Sequence, residues 1–455
     1  MKIRPTLALF ACVTFLSAAS AARAGSATWN LNPTNSDWNT ATNWTPNTVP
    51  DGPADTATFD LSNTAAVAFS ATTEVNGIVF DSGASSYTIT TPAPLVLTVS
   101  GAGVMNNSGA TENFTVDVDE SGQFAGVSFT NSATVGTRAQ FTLSGGNAST
   151  IGSQVAFLDS SGGGNGTFIA NGATVSNSDG ARILFENSST AANATIVNNA
   201  STTTGSFLSP GGITEFSSTA TAANATITCM GGASAVQGGG MLLLENSATA
   251  GNATIIGQGG TNGGQGGQIC FDLPASGGTA RIEVFGNAEM GIFLHMGTGV
   301  TVGSIEGSGV IYLTSKKLTV GNNDLSTTFS GTIIDLSGGQ LAKVGTGSLT
   351  LSGGNNTYSG ATTVSAGTLV ISNTSGSATG TGMVQVSGGT LGGSGIVSGA
   401  VTVNSGAFLA PAHGTKTQTT LTIQSQLTFN AGSTYTYTFK AKKKQAKTDK
   451  VIANG

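Results

Sequence analysis

Three carboxylates crowd together in this chain: Asp117, Asp119 and Glu120. Alternation with Val116 and Val118 puts Asp117 and Asp119 on one face of an extended strand, where they could hold a calcium ion or act as an acid/base pair. The same alternation reads equally as the wet side of a strand. Glu186, Glu215 and Glu245 occupy similar but not identical registers and could form an acidic stripe, with no matching basic group in the sequence pattern. His295 and His413 are distant in sequence and read as surface or structural residues. The cysteines and histidines beyond the first 24 residues have no zinc-ligand spacing. Gly-rich runs such as 257–267 lack the lysine and the strand-to-helix context of a phosphate loop, so they read as turns. The nine-residue calcium repeat of other secreted solenoids is absent. No residue is assigned a catalytic, cofactor-binding or metal-ligating role, and no cofactor is expected.

The one basic run is Lys440, Lys442, Lys443, Lys444, Lys447 and Lys450. It reads as a solvated loop between strands, or as a contact for anionic lipid or polysaccharide. The whole chain carries a formal charge of −6 with only 8% charged residues, which disfavours nucleic acid as a partner.

The elements that would position these side chains are strands. Thr, Ser and Val abound beside 67 glycines, a composition that suits strands and tight turns. Phe129, Phe157, Phe185, Phe216, Leu244 and Phe271 form an apolar column spaced 28, 28, 31, 28 and 27. Phe114, Phe141, Phe168, Ile196, Ile227, Ile255 and Ile282 form a second, spaced 27, 27, 28, 31, 28 and 27. The columns keep step, insertion included, which is the signature of a solenoid. Pairs such as Val127/Phe129 and Ile183/Phe185 show the period of a strand with one buried face.

Three features punctuate each repeat. Asn131, Asp159, Asn187, Ser218 and Asn246 follow the first column by two; parity turns them inward, where they could bond as a polar ladder. Asn165, Asn193, Asn224 and Asn252 mark a turn, flanked by Thr137 and Thr279. The Asn-Ala-Thr triplets there match a glycosylation sequon, but their place in the repeat gives a structural reason for them. Gly145, Gly172, Gly231, Gly259 and Gly286 follow the second column by four, where a positive φ would favour glycine; Ala200 breaks that pattern. Parity puts Cys229 inward and Cys270 outward, which argues against a disulfide between them.

Residues 1–24 read as a signal peptide: Lys2 and Arg4, an apolar Leu7–Ala19, then Ala22-Arg23-Ala24 before Gly25. No later segment is long and apolar enough to span a membrane. Residues 25–101 hold all three tryptophans and most of the prolines, which suits a β end cap. Residues 102–290 carry the 27–31-residue repeat. Residues 291–455 keep short strands with a different spacing.

Within that last span, Leu341-Ala-Lys343-Val-Gly345-Thr-Gly347 leads to Ser348-Leu-Thr-Leu351. Asn355-Asn-Thr-Tyr358-Ser-Gly360 follows, and Gly367-Thr-Leu369 closes the unit. This stretch resembles the autotransporter-associated β-strand repeat, with a core at 341–371. Trp29 to Phe59 is similar to the start of many secreted proteins that bear it. The resemblance implies a right-handed parallel β-helix in an exported passenger region, in a family that includes bacterial surface and secreted proteins, some of them adhesins. Neither a translocator barrel nor a Pro-Glu-Pro sorting tail is present, so either another system exports the chain or the C-terminus is truncated.

The expectation is an all-β parallel β-helix (β-solenoid), a single elongated rod of about 15 rungs and about 70 Å. The expected function is non-catalytic: an extracellular or cell-surface structural or adhesin-like protein of a Gram-negative-type bacterium, touching surface polysaccharide or other cell-surface components. The alternatives are a polysaccharide-degrading enzyme on the same fold and an autotransporter passenger that lost its barrel or sorting tail.

Overall fold

The structure, a computed structural model, describes residues 25–455 except 120, 122, 148–150, 204–209, 413–417 and 443–444. The signal-peptide segment lies outside the described residues. Among these residues the helical structure is one 3-10 turn, Ala41–Asn43, and no helix is long and apolar enough to cross a membrane. The rest of the ordered backbone is strand.

The chain is a β-solenoid. One sheet has 14 strands, a second 16, and a third has seven. In the middle of the chain each rung gives one strand to each of the two large sheets, as in Arg182–Phe185 followed by Thr195–Asn198. Residues about 28 apart are therefore hydrogen-bonded neighbours, and the pairing is parallel because every strand is reached by a full turn of chain. Sixteen strands at the usual ~4.8 Å sheet spacing make a rod about 70 Å long.

Equivalent side chains stack directly. Phe157 is in register with Phe129 and Phe185, with ring centroids 4.9 and 4.6 Å away, and Phe185 lies 4.6 Å from Phe216. The second column does the same, Phe141 lying 4.4 Å from Phe114 and 5.2 Å from Phe168. The columns meet edge-on, with Phe157 5.3 Å from Phe168. Burying each ring contributes about 1.5–3 kcal/mol, and the ring–ring geometry adds to it. The 31-residue rung keeps both registers because its extra residues fall between Asn198 and Ile213, outside the strands.

Two readings of the repeat are corrected. Asn131, Asp159, Asn187, Ser218 and Asn246 are exposed corner residues with φ of 55–57°, not inward ones. A left-handed residue breaks the alternation on which parity rests, and Asn and Asp tolerate that conformation best. Their ladder runs from side chain to backbone: the Asn131 N–H donates to Asp159 Oδ2 (2.9 Å), and the Asp159 N–H to Asn187 Oδ1 (3.0 Å). Nor do the repeat glycines serve φ, since only Gly286 has a positive value (60°). They permit close stacking. A Cβ on Gly145 would collide with the Gly172 carbonyl, and one on Gly172 would sit 2.5 Å from the Ala200 carbonyl carbon.

At the N-terminal end Trp29, Trp38 and Trp44 are buried in contact, with Trp44 5.0 Å from each of the other two. Each indole N–H finds a carbonyl: Thr64, Pro50 and Trp38 respectively. Beyond residue 291 the third sheet opens, from Gly299–Val302 to Leu427–Phe429, and the in-register spacing shortens to 21 between Gln340–Lys343 and Thr362–Val364.

Candidate functional site

The acidic residues fall into separate settings. Val118 leaves its strand to bridge Phe124 in a small antiparallel turn. There Asp119 Oδ1 accepts from the Gln123 N–H (2.8 Å) and Ser121 Oγ (2.7 Å), so it shapes its own turn. Asp117 Oδ1 accepts from Ser144 Oγ at 3.2 Å. Glu120 lies outside the described residues. No cluster of His, Cys, Asp and Glu suited to a metal occurs among the described residues.

Glu186, Glu215 and Glu245 are brought together, and Asp272 extends the line. Glu186, Glu245 and Asp272 follow the stacked residues Phe185, Leu244 and Phe271. Glu215 points outward from its strand, paired in register with Leu184 and Leu243. One carboxylate thus sits on each of four successive rungs. Burial, reinforced by the Glu245 charge, pushes Glu215 up to about 7. Burial and Asp272 likewise raise Glu245, and burial raises Asp272. A basic group is present after all. Arg182, on the strand below Glu215, opposes the rise and lies 3.7 Å from Asp179. Sequence spacing missed it because Arg182 aligns with Ile213 and Met241 in the ladder rather than with an acid. Partial withdrawal from water favours the protonated forms of this line.

His295 is a structural residue. The Gly297 N–H donates to its Nδ1 (3.1 Å), which leaves the proton on Nε2 to donate to the Ala275 carbonyl (3.1 Å). His413 lies outside the described residues. Cys229 and Cys270 sit in different sheets as free thiols, Cys229 fully buried and Cys270 half-buried. Burial pushes the Cys229 thiol up to about 12. It belongs to an interior polar group that sequence reading missed: Asn198 Nδ2 contacts its Sγ, and Thr214 Oγ1 donates to Asn198 Oδ1 at 2.7 Å. The signal was there, because Asn198 lies two residues after the inward Ile196.

A groove of about 530 Å³ runs across the turns that lead from the 16-stranded to the 14-stranded sheet. Its described lining includes Ser144, Asn147, Asn171, Thr174, Asn199 and Thr202, from consecutive rungs, and Ser144 is tied to Asp117 beside it. Asn199 Nδ2 donates to Asn171 Oδ1 (2.8 Å), while buried Asn147 Oδ1 has no partner. A second side-chain ladder stands at the sequon asparagines. Asn193, Asn224 and Asn252 each donate to the preceding amide at 3.2 Å, starting from Asn165.

The stretch with the repeat motif works inside the rod. Lys343 is buried, its ammonium donating to the carbonyls of Val344, Gly345 and Ala366. Asn356 accepts the Ile333 N–H (2.6 Å) and donates to Gly353 and Ala378 carbonyls. Tyr358 Oη bonds Thr362 Oγ1 at 2.6 Å. Lys343 and Asn356 lock one rung to the next.

No curated protein and no solved structure matches the chain. Residues 341–371 match the passenger-associated-transport-repeat family, the same residues whose polar side chains pin the rungs. The chain is a parallel β-solenoid that carries an autotransporter passenger-type repeat.

Proposed function

We propose that the protein is an exported, non-catalytic scaffold at the outer surface of a Gram-negative-type cell, holding surface polysaccharide by many weak, adhesin-like contacts. The passenger-type repeat supports export and surface exposure. The observation that carries the reading is the run of neutral amides and hydroxyls along the groove. The groove offers amides and hydroxyls, while the carboxylate line Glu186–Glu215–Glu245–Asp272 stands on another part of each rung. Neutral hydrogen-bonding side chains repeated rung after rung suit a repeating neutral or weakly charged glycan, where many weak contacts add. Glycosidic cleavage instead needs two carboxylates flanking the bound chain.

The test is incubation of the protein with a panel of cell-surface polysaccharides, reading both retention and new reducing ends. Retention without cleavage, weakened by Asn171→Ala with Asn199→Ala, is expected. Release of reducing ends that Glu215→Gln abolishes would establish the enzyme reading instead. Protease accessibility on intact cells checks surface location, and a protein protected until cells are broken contradicts it.

A further inference from the structure

The corner that follows each strand of the 14-stranded sheet changes character along the rod. From Asn131 to Asn246 its left-handed position holds Asn, Asp or Ser. On the next rung that position is Leu273, at φ 48°. A leucine side chain makes no local hydrogen bond to offset the crowding of that conformation, so it is an unfavourable choice there. The apolar character then spreads upward. Phe293, Leu294 and Met296 are exposed on the following turn, Met296 by 78%, and Leu336 is 86% exposed two turns above them. Hydrogen bonds stack these turns into one surface. The Leu273 N–H donates to the Leu294 carbonyl (3.3 Å), Thr314 Oγ1 to the Ile292 carbonyl (2.8 Å) and the Leu336 N–H to the Thr314 carbonyl (2.9 Å). Buried His295 pins the turn that presents Leu294 and Met296.

Charge is divided across this patch. One rung below the turn, Asp272 accepts from the Leu294 N–H (3.2 Å), and Glu245 lies a rung further down. Glu289 enters the turn itself, bonded to Tyr312 Oη. One rung above, Lys316 and Lys317 leave the corner, the Lys317 N–H donating to the Thr298 carbonyl (3.2 Å). Neither lysine forms an ion pair with a described residue. Asp335, next to Leu336, is held within its own corner by the Gly339 N–H, the Ser359 N–H and Ser359 Oγ, at 2.7, 3.0 and 2.7 Å.

We propose that this corner joins two copies of the chain in an isologous pair whose two-fold axis passes beside Leu294. The division of charge selects a second copy as the occupant. A two-fold lays the patch against itself, so a surface acidic on one side of its centre and basic on the other meets its opposite. Asp272 of each copy then faces Lys316 and Lys317 of the other, around a centre of Phe293, Leu294 and Met296. An anionic lipid surface would attract the lysines but meet Asp272 and Glu289 as like charges. Because the same patch is used by both copies, the assembly closes at two.

Sedimentation velocity over a concentration series tests it. The wild type is expected to pass from monomer to dimer and no further. Leu294→Ser/Met296→Ser should stay monomeric with unchanged circular dichroism, since both side chains are exposed. Lys316→Glu/Lys317→Glu sets acid against acid and should weaken the dimer about tenfold or more. Leu294→Cys should cross-link to its own copy under mild oxidation, while a cysteine replacing Leu325, exposed on a different corner, should not. A wild type that is monomeric at every concentration overturns the proposal. So does a dimer that the serine variant leaves intact, growth beyond two copies, cross-linking at position 325 in place of 294, or binding to lipid vesicles without self-association.

Discussion

The middle rungs and the rungs at 341–371 share one fold but hold it differently. Between residues 127 and 285 aromatic and branched side chains stack on each other, and the polar ladders lie at the corners, with the Asn198–Thr214 pair inside. At 341–371 the stacked positions are aliphatic, as with Leu349 on Leu369, and polar side chains move inside to tie the rungs. Stacking of like on like tolerates any rung of the right length. An interior amide or ammonium works only where particular carbonyls converge on it. The second arrangement therefore has a recognisable motif, and the first shows only as a period.

The sharpest way to break this comparison is to empty one aromatic position. Phe157→Ala should cost about 3–5 kcal/mol, because rings above, below and beside it lose their partner. Chemical denaturation followed by circular dichroism measures it; a cost under about 1 kcal/mol would deny the stack its role. Lys343→Met should cost less, about 1–3 kcal/mol, since it keeps the apolar stem but leaves the carbonyls it served without their donor.

The acid line gives a pH effect confined to the middle rungs. Glu215 is raised to about 7 from an ordinary 4.5, so the fold favours its protonated form. Its contribution is complete below about pH 4.5 and is lost as pH rises through about 7. The melting temperature should fall over that window, and Glu215→Gln should flatten the fall. A wild-type profile that rises across the window would contradict the assignment. Smallest of all, Asn224→Ala should cost about 0.5–1 kcal/mol by removing two exposed steps of the amide ladder. Thermal melts of Asn224→Ala beside the sequon-breaking Thr226→Val separate the ladder from glycosylation, because only the first variant loses these bonds.

Much of this was legible. The offset between Phe157 and Phe185 predicted their contact, and the motif from Lys343 to Leu369 lies within the residues that match the repeat family. The corners were not legible, because strict alternation cannot foresee that Asn131 turns left-handed and faces water. The glycine pattern was visible but its reason was not, since the approach of Gly145 to Gly172 depends on the path of two separate turns. Arg182 was overlooked for a related reason: its nearness to Glu215 is diagonal across the sheet, and the column spacing shows only neighbours in register.

The amino-acid order by itself determined which residues stack. In a coil of nearly constant circumference, spatial neighbours are those one period apart, so a count along the chain is a measure of space. Only the folded coil decided what the charged and polar groups experience. The burial of Glu215 and the carbonyl nest around Lys343 depend on how turns of unequal length bend around that coil, and bending has no period to read.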